Sequence, residues 1–199
     1  MRIIIDGTVG SGKTSIIRGI SQRDPEGKKF PSLTDLGYPI FSDMVISVIS
    51  EMRQMNIPDP SENWDLFFTI GVRNCIRDYH AAPPNTLTFY DRGVYYFEIL
   101  ARKYKCKLPD TYYDFINTCR YDEPVFIFEP IVGLDMSKPH SSDNKQKVYS
   151  LNDRINQHHE IIQLYKHYGY ETIVVPTMYD DPWLSADYRM SVIKEVLGL

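Results

Sequence analysis

The sequence predicts an α/β fold in which a parallel sheet of five strands is flanked by helices, giving three layers. A β-branched apolar run, Ile3 to Asp6, is followed directly by a glycine-rich turn and then by a stretch suited to a helix. Further runs suited to strands alternate with stretches whose apolar residues recur at helical spacing. One of these strands, residues 86–90, ends in the charged pair Asp91 and Arg92. Charged side chains at the end of a strand are typical of a parallel sheet that carries a site at its carboxyl edge.

Residues 7–14, which read GTVGSGKT, match the phosphate-binding pattern G-x-x-x-x-G-K-[ST] at every position. The glycines let successive backbone N–H groups point into one concavity. A helix predicted over Ser15–Ser21 would add N–H groups and the positive end of its dipole. We expect Lys13 to reach the β- and γ-phosphates of ATP, and Thr14 to ligate Mg²⁺. The predicted nucleotide-binding residues are Gly7, Thr8, Val9, Gly10, Ser11, Gly12, Lys13, Thr14 and Ser15.

The composition indicates a single domain over residues 1–199. A chain of this length is about the size of one α/β domain. The net charge of −4 and the pI of about 5.7 give no general basic field for nucleic acid. Three cysteines without a C-x-x-C pair favour buried thiols in a reducing compartment. No apolar stretch approaches the roughly 18 residues of a membrane span, so we expect a cytoplasmic protein without membrane contacts.

A helical region over residues 38–80 is expected to bind the substrate. Ser32–Gly37 before it is a short candidate for the second strand. Asp43 is suited to cap a helix over Met44–Met55. After a proline-containing turn, a longer helix follows over residues 62–80. The start of the first of these helices is expected to lie near the ligand side of the sheet.

Two arginines, Arg73 and Arg77, lie four residues apart on the longer helix, so both guanidinium groups are on one face. Two roles remain open for them: a solvated charged face or a clamp on an anionic substrate.

Asp91-Arg92 ends the third strand, and ligands bind at that end of open parallel sheets. The alternative there is a surface ion pair.

The last third of the chain begins with a fourth strand, Val125–Phe128, whose continuous apolar run suits burial on both faces. Residues 135–154 follow as a polar segment with several cations. This segment is either a mobile excursion or a lid that closes over the phosphates. Arg154 lies at the start of a helix predicted over Asn152–Tyr168, and Glu171–Val175 is the last strand.

The order of these motifs resembles the small AAA-type P-loop proteins that include the ribosylnicotinamide kinase domain. It also resembles the wider group of nucleoside and nucleoside monophosphate kinases. The resemblance rests on loop 7–14, on YDRG at 90–93, on Arg154 and on YGYETIVVP at 168–176, and it spans nearly the whole chain. It implies the three-layer P-loop NTPase fold.

The resemblance also implies roles for particular residues. Asp91 would lie beside the γ-phosphate, as a base toward the acceptor hydroxyl or through Mg²⁺. Arg92 would grip the acceptor or the transferred phosphoryl group, and Asp43 would hold the acceptor's hydroxyls or base. Arg154 would belong to the lid together with three lysines, Lys138, Lys145 and Lys147. Together with the motif and spacing arguments above, this gives Lys13, Asp91, Arg92 and Arg154 as expected catalytic residues. The expected metal ligands are Thr14 and Asp91. The expected substrate contacts are Asp43, Arg73, Arg77 and Arg92.

The function that these features predict is that of an ATP-dependent phosphotransferase, a kinase, for a small nucleoside, nucleotide or riboside-like acceptor. Phosphoryl transfer depends on alignment and charge neutralisation, which these residue types supply. One alternative is a nucleotide-binding switch, but the nearest match to a guanine-reading N-K-x-D, residues 144–147, has Lys147 in place of the aspartate. The other is a regulatory or interaction protein with little kinase activity.

Overall fold

The fold is built on a five-stranded parallel sheet with flanking helices. The computed structural model describes residues 1–19, 32–41, 43–132, 149–178 and 182–199. The strand order is β2-β3-β1-β4-β5. The predicted α/β fold class is therefore confirmed. The strands are β1 (Arg2–Gly7), β2 (Ile40–Phe41), β3 (Thr88–Asp91), β4 (Asp122–Phe128) and β5 (Thr172–Val175).

The strand β1 lies in the middle of the sheet order, and its residues Ile3 to Ile5 have no solvent exposure. A run of apolar side chains without alternation is what burial on both faces of a parallel strand requires. β1 pairs with β3, and Asp91 lies opposite Ile5 in this pairing. Just beyond the strand, the N–H of Arg92 donates to the Ile5 carbonyl at 3.0 Å. Asp91, the last residue of β3, therefore lies opposite a residue two positions before the end of β1 at Gly7.

Some of the helices begin where a short polar side chain accepts from one of their first N–H groups. Asp43 Oδ1 accepts from the Val45 N–H at 2.9 Å, as predicted, and Asn63 Oδ1 accepts from the Leu66 N–H at 3.0 Å. The helices are α1 (Lys13–Arg18), α2 (Met44–Gln54), α3 (Trp64–Ala81), α4 (Tyr96–Tyr104), α5 (Asp110–Thr118), α6 (Leu151–His167) and α7 (Pro182–Leu197), with a 3-10 turn at Pro60–Glu62.

The second strand is shorter and later in the chain than the sequence predicted. Within Ser32–Gly37, residues 33–37 are turns, and the strand is Ile40–Phe41. The Ser32 hydroxyl donates to Asp35 Oδ2 at 2.8 Å, and the Ser32 N–H bonds the same carboxylate at 3.1 Å. Local bonds of this kind compete with strand pairing and favour a turn. The predicted strand at 32–37 was therefore wrong.

The chain groups into two compact units. Unit 1 comprises Met1–Ile5 and Tyr38–Val125, and unit 2 comprises Asp6–Gly37 and Phe126–Leu199. The predicted acceptor region, 38–80, belongs to unit 1. The prediction of one domain over residues 1–199 stays a prediction. Most of the predicted lid, with Lys138, Lys145 and Lys147, lies outside the described residues.

The core of each unit consists of side chains with almost no exposure. The core of unit 1 includes Phe67, Phe68, Phe89, Phe97 and Tyr112; that of unit 2 includes Ile16, Ile17, Phe126, Phe128, Ile161 and Ile193.

In the part of the chain that the structure describes, no helix combines the length and the apolar character needed to cross a membrane.

Candidate active site

The loop between β1 and α1 has a backbone that requires glycine at its first position. Gly7 has φ of +146°. A Cβ there would lie 2.7 Å from the Phe128 carbonyl oxygen and 2.8 Å from Ser11 Oγ, too close for any other residue. Gly12, at φ +81°, is the residue from which α1 starts. Both positions use backbone angles that glycine adopts without a steric penalty, so the loop has the conformation that its motif predicted.

Lys13 is buried inside this loop, with 6% of its surface exposed. Its ammonium donates to the carbonyls of Gly7 at 2.8 Å and Thr8 at 2.9 Å, and to Ser11 Oγ at 3.3 Å. Oxygen acceptors on several sides hold the charge in place. Thr14, the next residue, is exposed. The loop therefore concentrates a positive charge among backbone groups and leaves a hydroxyl accessible beside it.

A buried carboxylate supports the loop from the strand side. Asp6 has no exposure; its Oδ1 accepts the Gly7 N–H at 2.7 Å and its Oδ2 accepts the Tyr165 hydroxyl at 2.8 Å. Charged acceptors make stronger hydrogen bonds than neutral ones, and a buried charge needs such partners. This role was predicted from the sequence for neither residue, although the position of Asp6 directly before Gly7 was a signal for it.

Helix α6 contributes Arg154, which is 3% exposed. Its Nη1 donates to the Ile131 carbonyl at 3.0 Å, and the Ile131 N–H donates to the Gly10 carbonyl at 3.2 Å. Arg154 is thereby connected to the phosphate loop through a single residue. Among the described residues, its Nε has no hydrogen-bond partner. A buried guanidinium N–H of this kind is available for a further acceptor.

His158 lies one turn after Arg154 on the same helix and is 5% exposed. Burial lowers the pKa of His158, while the Glu129 carboxylate acts in the opposite direction. Its Nδ1 has no hydrogen-bond partner within the described part of the chain. Because a buried imidazole resists protonation, His158 adds no positive charge of its own at neutral pH.

In unit 1, the structure brings Arg92 and Asp43 together. Arg92 Nε lies 3.6 Å from Asp43 Oδ2, and its guanidinium carbon lies 4.1 Å from the centroid of the Tyr96 ring. Arg92 has φ of +75° and is 5% exposed, and the neighbouring Asp91 is 3% exposed. Burial of both residues disfavours the alternative of an exposed surface ion pair. The arrangement is a preformed pairing of cation, carboxylate and aromatic ring.

Arg73 and Arg77 have partners of their own on the exposed face of α3. Arg73 Nη2 lies 2.5 Å from Glu51 Oε1, and Arg77 Nη2 lies 2.7 Å from Asp78 Oδ1. The hydrogen bond from Arg73 lowers the pKa of Glu51. More than half of each arginine side chain is in contact with solvent. These contacts favour the interpretation of Arg73 and Arg77 as a solvated charged face over their interpretation as a clamp on an anionic substrate.

Comparison with known proteins adds a family and a fold. A family model described as an AAA domain matches residues 2–181. Among curated proteins, none matches the sequence. The structure of deoxyadenosine kinase from M. mycoides with bound dATP is similar over 100% of both chains, with 20% identity and a TM-score of 0.61. The NadR protein in complex with NR is similar over 100% of this chain, with 15% identity and a TM-score of 0.59; this chain covers 51% of that one.

The family model and the structural similarities both point to the same kind of protein as the phosphate loop and the parallel sheet do. The family match covers nearly the whole chain, and both structural similarities extend over all of it. The predicted resemblance to small AAA-type P-loop proteins is confirmed. The chain belongs to the AAA domain family, and it shares its fold with the deoxyadenosine kinase and the NadR protein.

Proposed function

We propose that the protein is an ATP-dependent kinase that transfers a phosphoryl group to a small nucleoside, nucleotide or riboside-like acceptor. The observation that carries the proposal is the buried ammonium of Lys13 inside a loop of the phosphate-binding pattern. Its three hydrogen bonds go to oxygens of its own loop, and an incoming phosphate oxygen can replace one of them. Backbone amides and one full charge are the features that bind a polyphosphate in this class of site.

Two side chains, those of Thr14 and Asp91, have the chemistry to bind Mg²⁺. Mg²⁺ prefers hard oxygen ligands and keeps several waters. The exposed Thr14 hydroxyl is such a ligand, and the Asp91 carboxylate would act directly or through a bound water. When bound, the ion neutralises charge that develops on the phosphate oxygens. Loop residues Gly7 to Ser15 would bind the rest of the phosphate chain.

On the acceptor side, we assign Asp91, Arg92 and Asp43. Asp91 would take the proton of the acceptor hydroxyl, whose oxygen forms the new bond to the γ-phosphorus. The bond from that phosphorus to the β–γ bridging oxygen breaks, and ADP leaves. Arg92 would stabilise the transferred group or an acceptor phosphate, and Asp43 would accept from acceptor hydroxyls. The pairing of β3 with β1, in which Asp91 lies opposite Ile5, supports this assignment.

Arg154, buried and linked to Gly10 through Ile131, would contact the phosphates when the segment 135–154 closes as a lid. The clamp role of Arg73 and Arg77 is retained only as the weaker alternative, since both are paired at an exposed face. We take residues 1–199 as one kinase-like domain that works in the cytoplasm. The three free cysteines are compatible with a reducing compartment.

The structural relatives guide the choice of acceptor. One is a deoxyadenosine kinase with bound dATP and the other a protein in complex with NR. The first is similar over its entire length, so deoxynucleosides are the acceptors to try before others. At 15–20% identity the shared fold leaves the acceptor to be decided by assay.

The test is an acceptor panel. Purified protein is mixed with γ-labelled ATP and Mg²⁺ and with deoxyadenosine, other nucleosides, nucleoside monophosphates and nicotinamide riboside in turn. Products are separated by chromatography. A labelled acceptor that forms only with intact protein supports the kinase. Slow release of phosphate with every acceptor would indicate a switch, and nucleotide binding without any turnover would indicate an interaction protein.

A further inference from the structure

Arg189 on α7 is a cation inside the protein, with 1% of its surface exposed. Its Nη1 donates to the carbonyl of Ser11 in the phosphate loop. Its Nη2 donates to the Glu129 carbonyl at 3.0 Å and to Thr177 Oγ1, and its Nε donates to the Pro176 carbonyl at 3.4 Å. All of these acceptors are neutral oxygens. The planar fork of the guanidinium is thus used to join α7, the ends of β4 and β5, and the loop.

The guanidinium lies directly against the backbone that precedes Lys13. A Cβ on Gly12 would come within 2.8 Å of Arg189 Nη1. The absence of a side chain at Gly12 therefore serves the arginine as well as the turn. On another side, the guanidinium carbon lies 4.9 Å from the centroid of the Phe128 ring, so the group is held between an aromatic face and the loop.

Keeping a charge at this position has a free-energy cost. Burial lowers the pKa of Arg189 to about 10, while the Glu129 carboxylate acts in the opposite direction. At neutral pH the guanidinium is still protonated. A buried charge is costly unless it is hydrogen-bonded. Four hydrogen bonds offset this cost, and one of them holds the phosphate loop itself.

We infer that Arg189 is a positioning residue of the nucleotide site. It fixes the Ser11–Gly12 peptide, so that the loop amides converge on one point, and it places a second positive charge against the loop that takes the polyphosphate. This inference rests on the proposed binding of nucleotide to residues 7–14. Its contribution grows with the number of phosphates, because each added phosphate brings more negative charge near the loop.

The experiment compares dissociation constants for ATP, ADP and AMP in the presence of Mg²⁺, measured by isothermal titration calorimetry. The proteins are the wild type, Arg189→Met, Arg189→Lys and Lys194→Met. Lys194→Met removes one cation from the same helix and so matches the change in net charge. Thermal melts of all four proteins monitor folding.

For Arg189→Met we expect ATP to bind at least tenfold more weakly, about 1.4 kcal/mol, ADP less so, and AMP within twofold of wild type. Arg189→Lys keeps the charge but not the fork, and it should recover part of the loss for ATP. Lys194→Met should bind all three nucleotides as the wild type does. An equal loss for ATP and AMP would overturn the inference, because a purely structural role weakens every ligand alike.

If Arg189→Met does not fold, Arg189→Lys decides the question. A folded lysine variant should still bind ATP at least threefold more weakly than wild type, with AMP unchanged. Wild-type affinity for ATP in that variant would contradict the positioning role. Failure of the wild type itself to bind ATP would overturn the proposed function. If the wild type binds ATP and Arg189→Met binds it with the same dissociation constant, only the positioning role of Arg189 is overturned.

Discussion

Arg92 is held in a backbone conformation that residues with a side chain rarely adopt. Its φ is +75°, at a cost of the order of 1–3 kcal/mol for a residue other than glycine. The strain orients the guanidinium toward Asp43 and over Tyr96. Strained and buried charged residues at the end of a parallel strand are concentrated at functional sites. This combination is why Arg92, rather than Arg73, is the arginine that we assign to the acceptor.

Arg92→Met should raise KM for the acceptor at least tenfold, or about 1.4 kcal/mol, while KM for ATP changes little. The reason is that the variant loses a charge which would contact the acceptor or the transferred group. Steady-state kinetics with each substrate varied in turn measures both constants. Arg102→Met is the matched control, because Arg102 is exposed and paired with Glu98 on the surface of α4. An unchanged acceptor KM in Arg92→Met would remove Arg92 from the site.

His158 links stability to pH. An unfolded histidine takes up a proton near pH 6.5, whereas burial keeps the folded pKa lower. Between these two values the unfolded state binds more protons than the folded state. The free energy of unfolding therefore rises with pH in this window, and the contribution of His158 is lost as the pH falls below about 6.5.

His158→Gln should remove this dependence, since glutamine keeps an amide near the Phe128 carbonyl and does not titrate. Urea unfolding at pH 5, 6 and 7.5 should show the variant losing less stability on acidification than the wild type. His159→Gln, which changes the exposed neighbour on the same helix, should follow the wild type. Parallel curves for His158→Gln and wild type would contradict the assignment.

The sequence pointed to residues that lie together in one short motif. It missed residues whose contacts join distant parts of the chain. Lys13 and the oxygens that accept its hydrogen bonds lie within seven consecutive positions, so one pattern marks all of them, while the role of Lys13 toward phosphates stays a prediction. The bond from Tyr165 to Asp6 joins residues 159 positions apart, and that from Arg189 to Ser11 spans 178. No local pattern encodes contacts over such separations. The predicted roles of Asp91, Arg92, Asp43 and Arg154 remain predictions.

At the scale of elements, β1 and α6 are tied together by one buried hydrogen bond, from the Tyr165 hydroxyl to Asp6 at 2.8 Å. Asp6 in turn orients the first N–H of the phosphate loop. Both side chains have no exposure, so water does not compete for the bond. Loss of the Tyr165 hydroxyl would leave the buried Asp6 carboxylate with one hydrogen bond fewer, and this costs more stability than the loss of a hydrogen bond between two neutral groups.

Tyr165→Phe should lower the free energy of unfolding by about 1.5–3 kcal/mol, the range for a hydrogen bond to a charged group. Urea denaturation at pH 7.5 provides the measurement. Tyr113→Phe is the control, because that tyrosine on α5 is 49% exposed and its loss should stay within about 0.5 kcal/mol. Equal midpoints for Tyr165→Phe and wild type would mean that the bond carries no net stability.

The elements that the sequence predicted best have their signals in a few adjacent residues. The cap of α2 at Asp43 and the end of α6 before Gly169 are examples. The second strand failed because Ser32 and Asp35 form a turn that apolar content alone did not reveal. On α2, two apolar residues differ in burial: Ile46 is 60% exposed, whereas Val48 is fully buried. Helical spacing gave the period, and packing against α3 decided which residues are buried.

At the scale of the whole molecule, the strand order has β1 between β3 and β4. In open parallel sheets, ligands bind at the carboxyl ends of the strands, and the residues that we propose for the site follow β1 and β3. β1 leads into the phosphate loop and β3 ends at Asp91-Arg92. The sequence predicted the parallel sheet because runs suited to strands alternate with stretches of helical spacing, but it predicted no strand order.

The most direct measurement of the central claim is the rate of phosphoryl transfer from ATP to the best acceptor, for wild type and for Lys13→Ala. The account predicts a labelled acceptor with the wild type and a loss of about 10²–10³ in kcat with the variant, or about 3–4 kcal/mol. Thermal melts should confirm that the variant remains folded. A Lys13→Ala protein that transfers phosphate at the wild-type rate would contradict the claim that this loop binds and activates the nucleotide.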